Sequence, residues 1–316
     1  MEKRTIGTSE IAVAPVMFGG NVFGWTVDEA ASFHLLDAWV DRGFDFIDTA
    51  DVYSRWAAGN SGGESETILG RWFAQSGKRD RVVLATKAGK DMGEGRTGLS
   101  AAYLERAVEA SLRRLQTDCI DLYQAHADDE TVPLEETLTA FDRMVRAGKV
   151  RLLGASNYRG ARLAEAIGTS NRLGLAAYVT LQPNYNLHAR EEYERDLAPV
   201  AAQHGLGVIP YFSLAAGFLT GKYRTAEDAK GTQREGMVRK YFDERGGRIL
   251  EALVTVAEET RAPQASVALA WLLAQPNILA PIASATSAKQ LEALFLAAEL
   301  TLTPEQLARL DVASRY

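Results

Sequence analysis

The sequence predicts an α/β fold: a (β/α)8 TIM barrel with one extra C-terminal helix, formed by residues 1–316 as a single domain. Three observations predict it. Short apolar runs alternate with longer segments whose apolar residues recur at helical spacing, about eight times in succession. No stretch rich in Pro, Gly or Ser divides the repeats. Several runs end on a polar side chain (Asp48, Lys87, His126, Asn157, Gln182 and Ser213), and in a closed barrel such ends converge on one face. An open doubly wound sheet is the alternative use of the same units.

Each element has its own signal. "VAPVMFG" (13–19) reads as a strand and residues 27–42 as a helix. "FDFIDTA" then precedes "ESETILGRWFAQSG", where Ile68, Leu69, Trp72 and Phe73 fall on one helical face. "RVVLATKAG" (81–89) leads to "SAAYLERAVEASLRRL", with Ser100 placed to cap the helix through its hydroxyl. "IDLYQAH" (120–126) gives way to "PLEETLTAFDRMVRAGK", and "VRLLGASN" (150–157) to a helix through about residue 167. "YVTLQPNYN" (178–186) precedes "REEYERDLAPVAAQHG", and "LGVIPYFSL" (206–214) opens the longest irregular segment. Helical "GRILEALVTVAEET" and "SVALAWLLAQ", the run "ILAPIASA" (278–285) and helical "AKQLEALFLAAEL" complete the repeats. "TPEQLARLDVA" is the additional helix.

Composition narrows the function. The 316 residues are 47% hydrophobic, enough for a large core, and carry 41 acidic against 35 basic side chains. A net charge of -6 argues against nucleic acid, which needs a concentrated basic face. No run approaches ~18 uninterrupted apolar residues, so no membrane span is expected. The N-terminus lacks the apolar core of a signal peptide, and the single cysteine, Cys119, excludes an intrachain disulfide. Both point to the cytoplasm, with Cys119 expected as a buried inert thiol. His34, His126, His188 and His204 are scattered without cysteine neighbours, so no metal site is expected. Nothing specifies an oligomer.

Three motif matches fail on context. "GEGRTG" (93–98) has the glycine spacing of a dinucleotide turn, but "KAGKDM" separates it from the strand that should feed it. "GNSGG" (59–63) lacks the strand a nucleophile elbow needs, which leaves Ser61 as a loop or capping residue. "GFLTGK" (217–222) is one residue short of a P-loop and has Tyr223 where a metal-binding hydroxyl belongs.

The chemistry gathers on Asp48, Tyr53, Lys87 and His126, which follow from neighbouring strands. Each has a bland reading alone: a helix cap, a loop phenol, a snorkelling lysine, a satisfied core histidine. Together they form a proton-handling group. An aspartate keeps a partly buried ammonium charged, and that ammonium is expected to lower the tyrosine pKa toward the working range. A tyrosine so tuned donates a proton to a substrate oxygen that an imidazole orients. Hydride must then come from a cofactor.

At these residues the chain resembles the aldo-keto reductases. The match runs in order through "FDFIDTADVYS", "GNSGGESETILGRW", "VVLATKAG", "IDLYQAH", "VRLLGASN", "LQPNYN", "LAAGFLTGKY" and "PIASATSAKQL". It is similar to the broad branch of bacterial reductases and potassium-channel β subunits. The resemblance implies a barrel that binds a nicotinamide cofactor, usually NADPH, and reduces a small-molecule carbonyl substrate. It implies Asp48, Tyr53, Lys87 and His126 as the catalytic set, with Tyr53 the proton donor. It implies Ser156, Asn157 and Gln182 on the nicotinamide carboxamide and Tyr211 stacked on its ring. Phe212, Ser213, Leu214, Ala215 and Gly217 would follow the pyrophosphate, with Lys222 reaching it. Ser284, Thr286 and Gln290 match the adenosine-phosphate site, and Arg234 adds charge from the loop.

The chain departs from the family where Ala293 and Leu294 replace a Glu-Asn pair and Lys289 stands in for an arginine. NADPH is the expected cofactor and NADH the alternative. Trp25, Arg55 and Trp56 are candidates for the substrate mouth, with a small or medium aldehyde, sugar-like ones included, as substrate. Two other readings stay open: a cofactor-sensing regulatory subunit, and a Schiff-base lyase using Lys87.

Overall fold

The computed structural model describes residues 1–316 and begins with an antiparallel hairpin, β1 (Arg4–Thr5) and β2 (Ala12–Val13). Strands and helices then alternate: β3 (Met17–Gly19), α1 (Glu29–Asp41), β4 (Phe46–Asp48), α2 (Glu64–Ser76), β5 (Val83–Ala88) and α3 (Ala101–Leu115). Next come β6 (Ile120–Ala125), α4 (Leu134–Arg146), β7 (Val150–Ser156), α5 (Gly160–Leu173), β8 (Tyr178–Gln182), α6 (Ala198–His204) and β9 (Gly207–Val208). The short α7 (Glu235–Val238), α8 (Glu244–Thr260), α9 (Gln264–Leu273), β10 (Ile282–Ala283), α10 (Ala288–Ala297) and α11 (Pro304–Ala313) finish the chain.

Strands β3 to β10 are all parallel and pair in the order β10-β3-β4-β5-β6-β7-β8-β9. The two edges then meet. The Val208 amide donates to Asn277 O at 2.9 Å and the Leu279 amide to Val208 O at 2.8 Å, which closes the sheet into a barrel. The doubly wound alternative is thereby excluded.

Two cores hold the barrel. The larger lies between sheet and helices, around Trp39, Trp72, Phe141 and Trp271. The smaller fills the lumen with Met17, Phe46, Ala85, Leu122, Ile209 and Ile282, so the barrel is packed rather than a pore. Ile6 and Val13 of the hairpin belong to this lumen cluster. Asp45, which leads into β4, accepts from Lys3 Nζ at 2.6 Å and from the Ala14 amide at 2.8 Å. Arg4 donates to Ile278 O at 2.7 Å, ahead of β10. The hairpin therefore plugs the N-terminal end of the strands and leaves the C-terminal end open. Nothing in the apolar patterning of the first residues had marked it.

Capping fixes where the helices start. Ser100 accepts from the Tyr103 amide as expected, Asp28 caps α1, and Thr303 with Gln306 forms a reciprocal capping box on α11. Elsewhere the elements differ from their sequence signals. The runs at 13–19 and 278–285 form strands of only three and two residues. Pro15 and Pro281 lack the N–H a ladder needs, and Val13 is taken by the hairpin. Helix α5 continues to Leu173 rather than stopping near 167. Ahead of α6 a wide π turn spans Tyr193–Leu197, because the Pro199 ring cannot sit over the carbonyl of Arg195 in a regular turn.

Cys119 lies in the loop before β6 and is partly buried rather than enclosed in the strand. Burial, and then the Asp121 charge, raise its pKa, so the thiol is poorly nucleophilic. No helix is long and apolar enough to cross a membrane.

Candidate active site

The open rim is built by strand ends. Asp48 is the last residue of β4, Lys87 the last but one of β5, and His126 follows β6 directly. Ser156 ends β7, Asn157 follows it, and Gln182 ends β8. Because alternate strand residues face the lumen, these polar groups crown the apolar plug below them.

One hydrogen-bonded chain runs through them. Lys87 Nζ donates to Asp48 Oδ1 at 2.5 Å and to Thr49 O at 2.7 Å. Gln182 Nε2 donates to the same Asp48 oxygen at 3.1 Å, and the Tyr53 hydroxyl donates to Asp48 Oδ2 at 2.9 Å. Lys87 Nζ also lies 4.7 Å from the Tyr53 ring centroid, facing its π cloud. The His126 ring packs edge-on to Tyr53, centroids 6.0 Å apart. Its Nδ1 is buried without a partner, so Nε2 is the nitrogen presented to the mouth.

The electrostatics correct one expectation. Lys87 does not lower the Tyr53 pKa in this arrangement: burial, and then the Asp48 carboxylate that accepts its proton, hold it well above the ordinary 10.0. Burial also lowers Lys87, against the opposing pull of Asp48. His126 is pushed well below 6.5 by burial, then by Lys87 and Lys90, and so is neutral near pH 7. The site presents a protonated phenol and a neutral imidazole side by side.

A second chain follows the rim. Asn157 sits at φ 55, a left-handed conformation that asparagine tolerates better than bulkier residues. Its Nδ2 donates to His126 O at 2.7 Å and to Ser156 Oγ at 3.0 Å, and Ser156 Oγ donates to Gln182 O at 2.9 Å. The Tyr211 hydroxyl donates to Asn157 Oδ1 at 2.8 Å. After Tyr211 the backbone turns left-handed at Phe212 (φ 53), Ala215 (φ 47), Ala216 (φ 56) and Gly217 (φ 100). Such strain, about 1–2 kcal/mol per non-glycine residue, concentrates at ligand sites, and left-handed turns aim backbone N–H groups into anion-binding concavities. Ser213 Oγ anchors the turn on Pro210 O at 2.9 Å. The Lys222 ammonium lies against Gly217, where an added Cβ would come within 3.1 Å of Nζ.

The remaining expected residues fall in two places. Ser284 donates to Asn21 Oδ1 at 2.6 Å, and Gln290 Oε1 accepts from the Thr286 amide at 2.7 Å, both after β10. Arg234 stacks over the Trp25 ring at 5.9 Å, and burial lowers its pKa. No hydrogen bond ties it to the Ser284–Gln290 segment. Trp25 and Trp56 meet edge to face at 5.6 Å, and Trp56 lies 6.0 Å from Tyr53. Arg55 extends to within 4.0 Å of Asp91.

Sequence reasoning missed Asn21, the Thr49 carbonyl that holds Lys87, and Asn186, whose Nδ2 donates to Phe212 O at 3.0 Å. A signal for Asn21 was present. A Cβ on Gly19 would meet Ser284 Oγ at 2.6 Å and one on Gly20 would meet Asp48 O at 2.8 Å, so the Gly-Gly pair marks a close crossing beside the site.

Residues 15–315 match the model of the aldo/keto reductase family. The chain belongs to that family. It is 35% identical to "Uncharacterized oxidoreductase YrpG" of Bacillus subtilis, over 98% of this chain and 95% of that relative. The aldo-keto reductase YhdN of the same organism is also 35% identical, over 95% of this chain and 88% of the relative. A probable voltage-gated potassium channel subunit beta of Arabidopsis thaliana is 29% identical, over 98% and 96% of the two chains. Family and relatives together are those of an oxidoreductase, on a (β/α)8 barrel.

Proposed function

We propose that this aldo/keto reductase reduces aldehydes or ketones to alcohols with NADPH, Tyr53 giving the proton. The observation that carries the reading is the Tyr53 hydroxyl, fixed by Asp48, with the Lys87 ammonium under its ring and neutral His126 beside it.

The rim fits a nicotinamide dinucleotide. Tyr211 offers a flat, partly exposed ring, Asn157 and Gln182 offer amides, and the left-handed turn with Lys222 suits a pyrophosphate. Ser284, Thr286 and Gln290 would hold the adenosine end. Lys289, and Arg234 with its unbonded guanidinium, are the cations available to a 2′-phosphate. When bound, the cofactor supplies hydride to the carbonyl carbon.

The protein's own residues do the rest. His126 Nε2–H and the Tyr53 hydroxyl, its O–H turned from Asp48 Oδ2 toward the substrate, would converge on the carbonyl oxygen and orient it. Tyr53 passes its proton to that oxygen as negative charge develops there. The resulting phenolate faces the Lys87 ammonium, while Asp48 keeps that ammonium in place. The raised pKa means that Tyr53 enters the reaction protonated, as an acid must.

The regulatory-subunit reading retains one support, the channel-subunit relatives, and shares the same cofactor site. The lyase reading is disfavoured, because Lys87 Nζ is enclosed between Asp48 and Thr49 and its side chain is 0% exposed. Calorimetric titration with NADPH and NADH, followed by an aldehyde panel with spectroscopic detection of cofactor oxidation, tests the proposal. Tight NADPH binding with aldehyde-dependent oxidation supports it. Binding without turnover of any carbonyl favours the sensor, and binding of neither cofactor sinks both.

A further inference from the structure

Lys90 has no place in the mechanism above, yet its position is closely set. Strands β5 and β6 pair up to Ala88 and Ala125, and Ala88 O accepts the His126 amide at 2.9 Å. Lys90 therefore leaves the barrel two residues beyond a direct link to His126. Gly89, at φ 120, turns the chain there, and its carbonyl is pinned by the Gly98 amide at 2.9 Å. The adjacent carboxylate is turned elsewhere: Asp91 Oδ1 accepts from the Gly93 amide at 2.7 Å and Oδ2 faces Arg55. The Lys90 residue is exposed with no carboxylate opposing it, although partial burial of its ammonium lowers its own pKa; after burial, its charge also contributes to the lowering of Lys87 and His126.

Lys90 thus leaves a positive charge without a counter-ion near the imidazole of His126, in a chain of net charge -6. The same rim carries an aromatic group, with Trp56 half exposed against Trp25 and Tyr53. The mouth thus has an apolar wall, a polar floor and free positive groups at its edge: Lys90 beyond β5, and Arg234 on the face of Trp25, which the dinucleotide phosphate would take. A ligand that satisfies all three has a carbonyl at one end, an apolar or planar body, and an anion at the other.

We propose that the substrates of this site are carbonyl compounds bearing an anionic group, held by Lys90 with Arg55 as a second, partly occupied cation. The inference rests on the reductase reading and specifies its substrate class. Lys90 acts on binding, not on proton transfer. Long-range attraction into a positive mouth on an acidic protein also speeds encounter, and salt weakens that effect.

The test compares 4-formylbenzoate with its methyl ester, two aldehydes on the same ring that differ by one charge and one methyl group. Wild-type protein with NADPH is expected to favour the acid by about tenfold or more in kcat/KM, chiefly through KM, as one charge-assisted contact allows. Lys90→Met is expected to remove most of that preference, the remainder being the share of Arg55, and Lys90→Arg to restore it. Calorimetry of the NADP-bound protein with 4-(hydroxymethyl)benzoate and its ester should show the same preference without turnover. Equal use of the two aldehydes by wild type, or an acid preference undiminished in Lys90→Met, overturns the anion site and leaves the reductase standing. Turnover of neither aldehyde, nor of any other, removes the reductase reading and this inference with it.

Discussion

Lys87 and Asp48 form an ion pair from which water is excluded: Nζ is 2.5 Å from Oδ1, and the side chains are 0% and 1% exposed. Such a pair is costly to break from one side, because the remaining charge is stranded in the lumen. Lys87→Met should therefore destabilise the fold by about 3–5 kcal/mol, besides lowering turnover. Urea unfolding at neutral pH measures it, and a loss below about 1 kcal/mol would mean that Asp48 is compensated in another way.

Tyr53→Phe removes the proton donor and keeps the ring over Lys87. Reductase kcat should fall by about 100-fold or more, with NADPH affinity nearly unchanged. Unchanged turnover in this variant defeats the mechanism.

The pH profile follows from two opposed shifts. His126 is held well below 6.5, so it stays neutral through that pH, and Tyr53 is held well above 10.0, so it keeps its proton. The kcat of reduction should thus be flat across pH 6.5. An inflection there that disappears in His126→Asn would show a titrating imidazole and contradict the neutral-donor role.

Asp51 offers a test of stability alone. It lies behind the site at 2% exposure, and its Oδ1 has no partner. Burial, then the Glu66 charge, raise its pKa from 3.8 to about 8, although Arg114 and Lys87 oppose the shift. The folded protein keeps a proton that the unfolded chain releases, so stability falls as pH rises from about 4 to about 8 and then levels. Asp51→Asn removes that slope. The variant's stability relative to wild type should grow over this interval, and a constant difference in urea midpoints would disprove the assignment.

Gly70→Ala reverses a familiar rule. Alanine in a helix interior normally gains ~1 kcal/mol over glycine. At Gly70 the new Cβ would lie 2.1 Å from Arg114 O and 2.8 Å from the Leu115 carbonyl carbon, both backbone atoms of α3. The variant should lose about 1–3 kcal/mol, read by thermal melting.

The barrel was legible because its staves repeat: "FDFID", "VVLATK" and "IDLYQAH" each show an apolar run ending in a polar group, and each became a strand with that group at the rim. The same signal pointed to Asp48, Tyr53, Lys87 and His126, and the structure brings those four side chains together. Their electrostatics were not legible. Adjacency in sequence order placed Lys87 near Tyr53, but only the side-chain geometry shows the phenol buried and Asp48 accepting hydrogen bonds from both the ammonium and the phenol, which together turn the tyrosine shift upward. Arg234 illustrates another limit, since a loop arginine can reach several partners and no pattern favours Trp25 over a phosphate. The hairpin escaped notice because two strands of two residues each have too few side chains to show alternation.

That hairpin has a kinetic consequence. With Ile6 and Val13 seated in the lumen floor, everything that enters or leaves shares one doorway. Under the proposed reading the nicotinamide lies deeper than the carbonyl compound, so traffic becomes a queue: dinucleotide in first and out last, with the alcohol leaving between. Turnover would then be paced by the departure of the last occupant.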